Sequence, residues 1–208
     1  NMQVKQYKKM RYWECLPDDF DENKKYPFLL YLHGAGERGE DMKNILNAGV
    51  PKSVAQGIQL PFIIVAPKCE DGHTWYDYGE TLDNLFGVYL GKKYIDKKKV
   101  YLSGMSMGAY GAWAFAMSHA DKLTAMIPVS GGGMVWNVDV LKNIAVWAFH
   151  CSGDDVVDVN ETIKMVNALK KVSSAEVRLT IYDHSYHDAW TDTYSNPAIY
   201  EWLLTKTL

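Results

Sequence analysis

At 208 residues the chain is long enough for one domain with a sizeable core, expected to run over residues 1–208. A net charge of −3 with no long run of one sign argues against a nucleic-acid partner, and no apolar stretch is long enough to span a membrane. Cys15, Cys69 and Cys151 cannot all pair and lack a zinc spacing, so free thiols are expected, with neither a metal nor a cofactor implied. Free thiols and the lack of a visible leader favour a cytoplasmic location, while a chain opening Asn1-Met2 leaves secretion open. Oligomeric state is left open.

Residues 3–15 alternate loosely through Val4, Tyr7, Met10, Tyr12 and Cys15, which predicts one or two strands. Residues 17–25 are a polar turn region. Tyr26–Leu32 is a near-continuous apolar run, as in a central strand buried on both faces. It leads into His33-Gly-Ala-Gly-Glu-Arg-Gly39. A phosphate loop is disfavoured by Glu40-Asp41 just beyond, and the better reading is an oxyanion loop whose glycines let backbone N–H groups turn toward a substrate carbonyl. Ala35 supplies the expected donor, and His33 anchors the loop. Glu37 and Arg38 either line an acyl or leaving-group pocket or pair with each other.

Residues 41–56 carry a weak helical pattern, and Leu60–Pro67 reads as the next buried strand. The long connection 68–80 holds His73, a loop residue, and Trp75 and Tyr76, expected to line a substrate pocket. Residues 81–93 have helical spacing. Lys92-Lys93 and Lys97-Lys98-Lys99 are placed at a helix end and a turn.

Val100-Tyr-Leu102 reads as a short buried strand, Gly104-Met-Ser-Met-Gly108 follows, and Ala109–Met117 is a good helix. Strand, sharp turn and helix with a serine at the apex is the context of a nucleophile elbow. The glycines are needed because strand and helix pass close to the strained serine. The helix start aims the Met107 N–H and a positive dipole end at the place where an oxyanion would form. Strands are expected at 123–129 and 143–150, and Met134-Val-Trp136 is positioned to reach over the site.

A serine needs a histidine base, and the histidine needs an acid. After the strand at 143–150, Asp154 is the leading acid, with Asp155 and Asp158 as competitors; Asp158 also suits the cap of a helix over 159–171. The loop after a last strand at 175–182 offers His184 and His187. His119 is read as a helix C-terminal residue and His150 as a buried strand end. A metal on His184 and His187 lacks supporting carboxylates. The alternation of strands and helices predicts an α/β fold, a mainly parallel sheet with helices on both faces.

Five stretches carry a resemblance: Tyr31–Gly39, Val65–Cys69, Val100–Gly108, His150–Val157 and His187–Trp190. They resemble the α/β-hydrolase superfamily, and within it the small esterases of the prolyl-oligopeptidase-like group, which include feruloyl and acetyl-xylan esterases. The resemblance implies a nucleophile at Ser106, an acid at Asp154 and a base at His187. Cys151 and Tyr186 stand where that group often has glycine.

The expected function is hydrolysis of a small-molecule or carbohydrate carboxylic ester through an acyl-enzyme. Trp75, Tyr76, Trp136 and Trp190 are expected to wall an aromatic pocket suited to a sugar-linked acyl or cinnamoyl group. The rivals are a serine peptidase or amidase of the same group and a non-catalytic binding protein on a hydrolase fold.

Overall fold

The computed structural model describes residues 1–208. Eight strands form one sheet: β1 Met2–Tyr7, β2 Met10–Cys15, β3 Tyr26–Leu32, β4 Ile63–Pro67, β5 Ile95–Met105, β6 Ala125–Val129, β7 Ala145–Cys151 and β8 Val177–Tyr182. Their spatial order is β1-β2-β4-β3-β5-β6-β7-β8. The hairpin β1–β2 adds antiparallel to β4, and β3 to β8 run parallel. Six α-helices connect them: α1 Gly49–Ala55, α2 Gly79–Leu90, α3 Met107–Ser118, α4 Asn160–Lys170, α5 Trp190–Tyr194 and α6 Pro197–Leu204.

The period of two along a strand divides the core between the two faces of the sheet. Phe28, Leu30 and Leu32 of β3 point to one face with Phe86 of α2, Trp113 of α3 and Val166 of α4. Leu29 and Tyr31 point to the other with Val50 of α1, Tyr194 of α5 and Trp202 of α6. The helix α3, rich in Ala and Gly, packs closely enough for its first turns to touch the sheet, which sets the serine turn before it against the end of β3.

Two features differ from the sequence expectation. The strand β5 begins at Ile95, so Lys97–Lys99 lie on a strand and not in a turn. A register shift between Tyr26 and Phe28 lets β5 bulge there, and Lys97 and Lys98 face solvent. The helices α5 and α6 were not foreseen, although α6 carries a readable start in Asn196, whose side chain accepts from the Ala198 N–H, and in Pro197 at its first position.

Candidate active site

The loops at the C-terminal ends of β3, β5, β7 and β8 converge, as expected for a parallel sheet. Ser106 has φ 53° and ψ −120°, a backbone conformation disfavoured for a residue with a side chain. Its N–H is held by Val129 O at 2.8 Å. The two flanking glycines are required by contact: a Cβ on Gly108 would lie 2.0 Å from Leu32 O, and one on Gly104 2.2 Å from Gly108 O. Met107 is the first residue of α3, so its N–H has no acceptor within the helix.

Ser106 Oγ lies 2.7 Å from His187 Nε2, and His187 Nδ1 lies 2.7 Å from Asp154 Oδ2. An ionised carboxylate only accepts, so Nδ1 carries the ring proton and Nε2 is left to accept from the serine hydroxyl. The Asp154 side chain is fully buried, whereas that of His187 is 17% exposed. Burial pushes the Asp154 carboxyl up, but hydrogen bonds from His187 and from the Val157 and Val156 N–H groups outweigh it and hold the carboxyl below its ordinary value. Both N–H groups reach Oδ1 at 2.9 Å. Ser130, at φ 60° just beyond β6, donates its hydroxyl to His187 O at 3.2 Å. The Trp190 ring meets His187 edge-on, 5.0 Å between centroids.

The competitors are occupied elsewhere. Asp155 is exposed, and Asp158 accepts from the Asn160 N–H at the start of α4. His184 bonds Asp192 at 3.2 Å and stacks on Tyr186. His119 closes α3 against Phe115 O and Asp83.

Ala35 opens a 3₁₀ turn, Ala35–Glu37, and is exposed beside the buried Gly34. The loop is pinned from outside. Burial pushes the His33 imidazole down to about 4, so the ring is neutral; Nδ1–H donates to Gly34 O at 2.7 Å and Nε2 accepts from the Cys69 N–H at 2.9 Å. Lys68 Nζ donates to Glu37 O at 2.6 Å and Asp41 O at 2.9 Å, and the Trp75 indole donates to His33 O at 2.8 Å. Glu37 and Arg38 do not pair. Arg38 donates to Ala35 O and His73 O, which makes it a brace of the loop; burial raises the Glu37 carboxyl, whose oxygen lies 3.1 Å from where a Gly34 Cβ would stand.

Of the four aromatics expected to wall one pocket, Trp75 and Tyr76 line one cavity and Trp190 another. Trp75 is 3% exposed and packed on Gly111, where a Cβ would collide with it. It shares with the exposed Tyr76 a cavity of about 480 Å³ between α2 and α3. Trp190 borders a separate cavity of about 270 Å³ with Lys52 and Tyr194. Trp136 stands 79% exposed. The indole nitrogen and the missing side chain at position 111 fix Trp75, which braces the loop and lines the cavity between α2 and α3.

Sequence reasoning missed Lys68 and Ser130 as supports and the contact of His150 with Asp154, 3.1 Å from Nε2 to Oδ2. A lone lysine after Pro67 and a serine before three glycines carry no signal of those roles. No three His, Cys, Asp or Glu side chains are grouped to hold a metal ion, and no helix is long and apolar enough to cross a membrane. All three cysteines are buried and free.

Residues 73–198, more than half of the chain, match the phospholipase/carboxylesterase family. A thermostable esterase of known structure superposes with a TM-score of 0.85 at 28% identity, covering 100% of this chain and 63% of that one. Dipeptidyl-peptidase 5 of Porphyromonas gingivalis is 30% identical over 132 residues, 57% of this chain and 19% of the relative. A bifunctional acetylxylan esterase/xylanase of Neocallimastix patriciarum is 29% identical over 105 residues, 48% of this chain and 16% of the relative. The chain thus spans about a fifth or less of the length of these two curated relatives.

Proposed function

Because this chain belongs to the phospholipase/carboxylesterase family of α/β-hydrolases, we propose that it is a serine esterase acting through Ser106, His187 and Asp154. Ser106 Oγ attacks the ester carbonyl carbon as His187 Nε2 takes the hydroxyl proton. Asp154 holds the imidazolium that results. The negative oxygen of the tetrahedral intermediate is received by the Ala35 and Met107 N–H groups. Collapse breaks the bond to the alcohol, which leaves with the proton from His187, and a water activated by the same histidine hydrolyses the acyl-serine. The observation that carries this reading is the unbroken line of two 2.7 Å contacts from serine to buried carboxylate.

The substrate class proposed is an acylated sugar or cinnamoyl ester. The acetylxylan esterase relative and the Trp190 ring against His187 support it. Hydrolysis of p-nitrophenyl acetate and methyl ferulate by the wild type and Ser106→Ala tests both levels. Turnover lost with Ser106 supports the serine esterase, and turnover kept sinks it. A wild type active on acetate with no turnover of ferulate removes the cinnamoyl class. A peptidase is the second reading, supported by the dipeptidyl-peptidase relative; faster cleavage of an aminoacyl p-nitroanilide than of either ester would favour it.

A further inference from the structure

We propose that His150 is a positioning residue for the acid of this site, its Nε2–H fixing the Asp154–Val157 turn through Val157 O and lying beside Asp154 Oδ2, the oxygen that also meets His187. The proposal rests on the serine-esterase reading above. His150 stands near the end of β7 and is fully buried, so water does not satisfy its ring. Nε2 lies 3.1 Å from Asp154 Oδ2 and 2.9 Å from Val157 O, and Nδ1 lies 2.7 Å from Thr162 Oγ1. Thr162 Oγ1 is also 3.1 Å from Gly131 O.

The protons follow from what each neighbour can do. The Thr162 hydroxyl has one proton, for Gly131 O or for His150 Nδ1. If it goes to Gly131 O, Nδ1 carries its own proton, and a proton on Nε2 as well makes the ring an imidazolium beside the Asp154 carboxylate. If it goes to Nδ1, the ring is the Nε2–H form. In both arrangements Nε2 faces a carbonyl and a carboxylate, which only accept, so Nε2 is a donor. The Nε2–H goes to Val157 O, whose own N–H holds Asp154 Oδ1, so the Asp154 carboxylate receives three N–H groups, Val156 and Val157 on Oδ1 and His187 on Oδ2, with His150 Nε2 a further 3.1 Å contact on Oδ2. A line of side chains runs from Thr162 of α4 through His150, Asp154 and His187 to Ser106, so the first turns of α4 are tied to the nucleophile.

The other ionisable groups near this line are Asp155 and Asp158 in the same loop, Glu161 of α4, Tyr110 of α3, Cys151, Asp188 and Asp192. None of them donates to Asp154. Removing His150 takes away the donor that holds Val157 O and the N–H that lies beside Asp154 Oδ2. The carboxylate becomes more basic and less fixed. It then pulls harder on the His187 Nδ1 proton, which raises the pH at which His187 becomes a free base, while its looser aim slows the proton transfer.

The test is the pH profile of kcat/KM for p-nitrophenyl acetate. In His150→Phe, which fills the space without a donor, the acidic limb is expected to move up by about half a pH unit or more, with kcat down roughly tenfold and KM within about twofold. In His150→Gln, which returns an N–H, the limb is expected to move back toward the wild type. A purely structural His150 would lower the melting temperature and leave the limb in place, and a folded His150→Phe with that profile overturns the proposal. If His150→Phe does not fold, Thr162→Val carries the test: a smaller upward shift with reduced kcat supports the proposal, and a wild-type limb and kcat overturn it. Wild-type turnover that survives both Ser106→Ala and His187→Ala would instead mean that the serine-esterase reading has failed.

Discussion

The loop after β3 and the loops after β7 and β8 border the same serine and are held in opposite ways. In the first, the expected working groups are backbone N–H groups, and the loop is fixed by side chains: Lys68 from below, Trp75 through its indole, and His33 and Arg38 from within. In the others, the proposed working groups are the side chains of Asp154 and His187, and backbone does much of the fixing: the Val156 and Val157 N–H groups hold the carboxylate, and the Ser130 hydroxyl steadies the His187 carbonyl. Where chemistry draws on the main chain, side chains must supply the scaffold. The two regions should accordingly respond differently to mutation. On the acid–base side, activity should fall at constant stability. On the oxyanion side, activity and stability should fall together unless an N–H alone is removed.

The largest effects test the acid–base side. Ser106→Ala should lower kcat by about 10⁶ with an unchanged melting temperature. Asp154→Asn should keep the fold and cost about 10⁴ in kcat, because an amide permits the wrong tautomer of His187. A melting temperature that collapsed in either variant would break the contrast. Next comes Ala35→Pro. Gly34 before it is extended, at φ −83° and ψ 179°, and proline is tolerated at the first position of a helical turn, so the change removes the N–H with little disturbance. The expected loss is about 10²–10³ in kcat, and full activity would remove Ala35 from the oxyanion site.

The smaller effects sharpen the other half. Lys68→Met deletes two charge-assisted hydrogen bonds, and each is typically worth about 1.5–3 kcal/mol. The melting temperature and kcat should fall together, as read by thermal unfolding beside p-nitrophenyl acetate turnover. His33 gives a pH signature. Its folded pKa of about 4 lies below the ordinary value of 6.5, so between those pH values the unfolded chain binds more protons. Its contribution to stability is complete above about 6.5 and is lost as pH falls toward 4, before the carboxyl of Asp154 is protonated. Denaturant midpoints at pH 7 and pH 4.5 measure this, and a flat profile across that window would contradict the buried neutral ring.

How far the sequence reached follows the same division. The serine turn is legible because its glycines answer to contacts within a few residues and to the end of β3. Asp154 and His187 are legible as candidates because chain order narrows the search to the loops after two strands, although Asp155 and His184 could be set aside only by geometry. The supports were not legible. Lys68 acts on carbonyls 27 and 31 residues away, and His150 meets Asp154 across a turn whose shape four residues of sequence do not reveal. The bracing role of Trp75 was not legible because an aromatic in a long loop suits a pocket wall as well as a brace, and its packing shows only in the space left by Gly111. The Lys97–Lys99 run misled because a bulge puts a polar turn-like segment inside β5.

The central claim is that Ser106 is a nucleophile activated by His187. The most direct measurement is labelling with a fluorophosphonate probe, followed by mass spectrometry of the adduct. The account expects one adduct, on Ser106, lost in Ser106→Ala and greatly slowed in His187→Ala. A folded wild type that takes no label, or takes it on another residue, would contradict it.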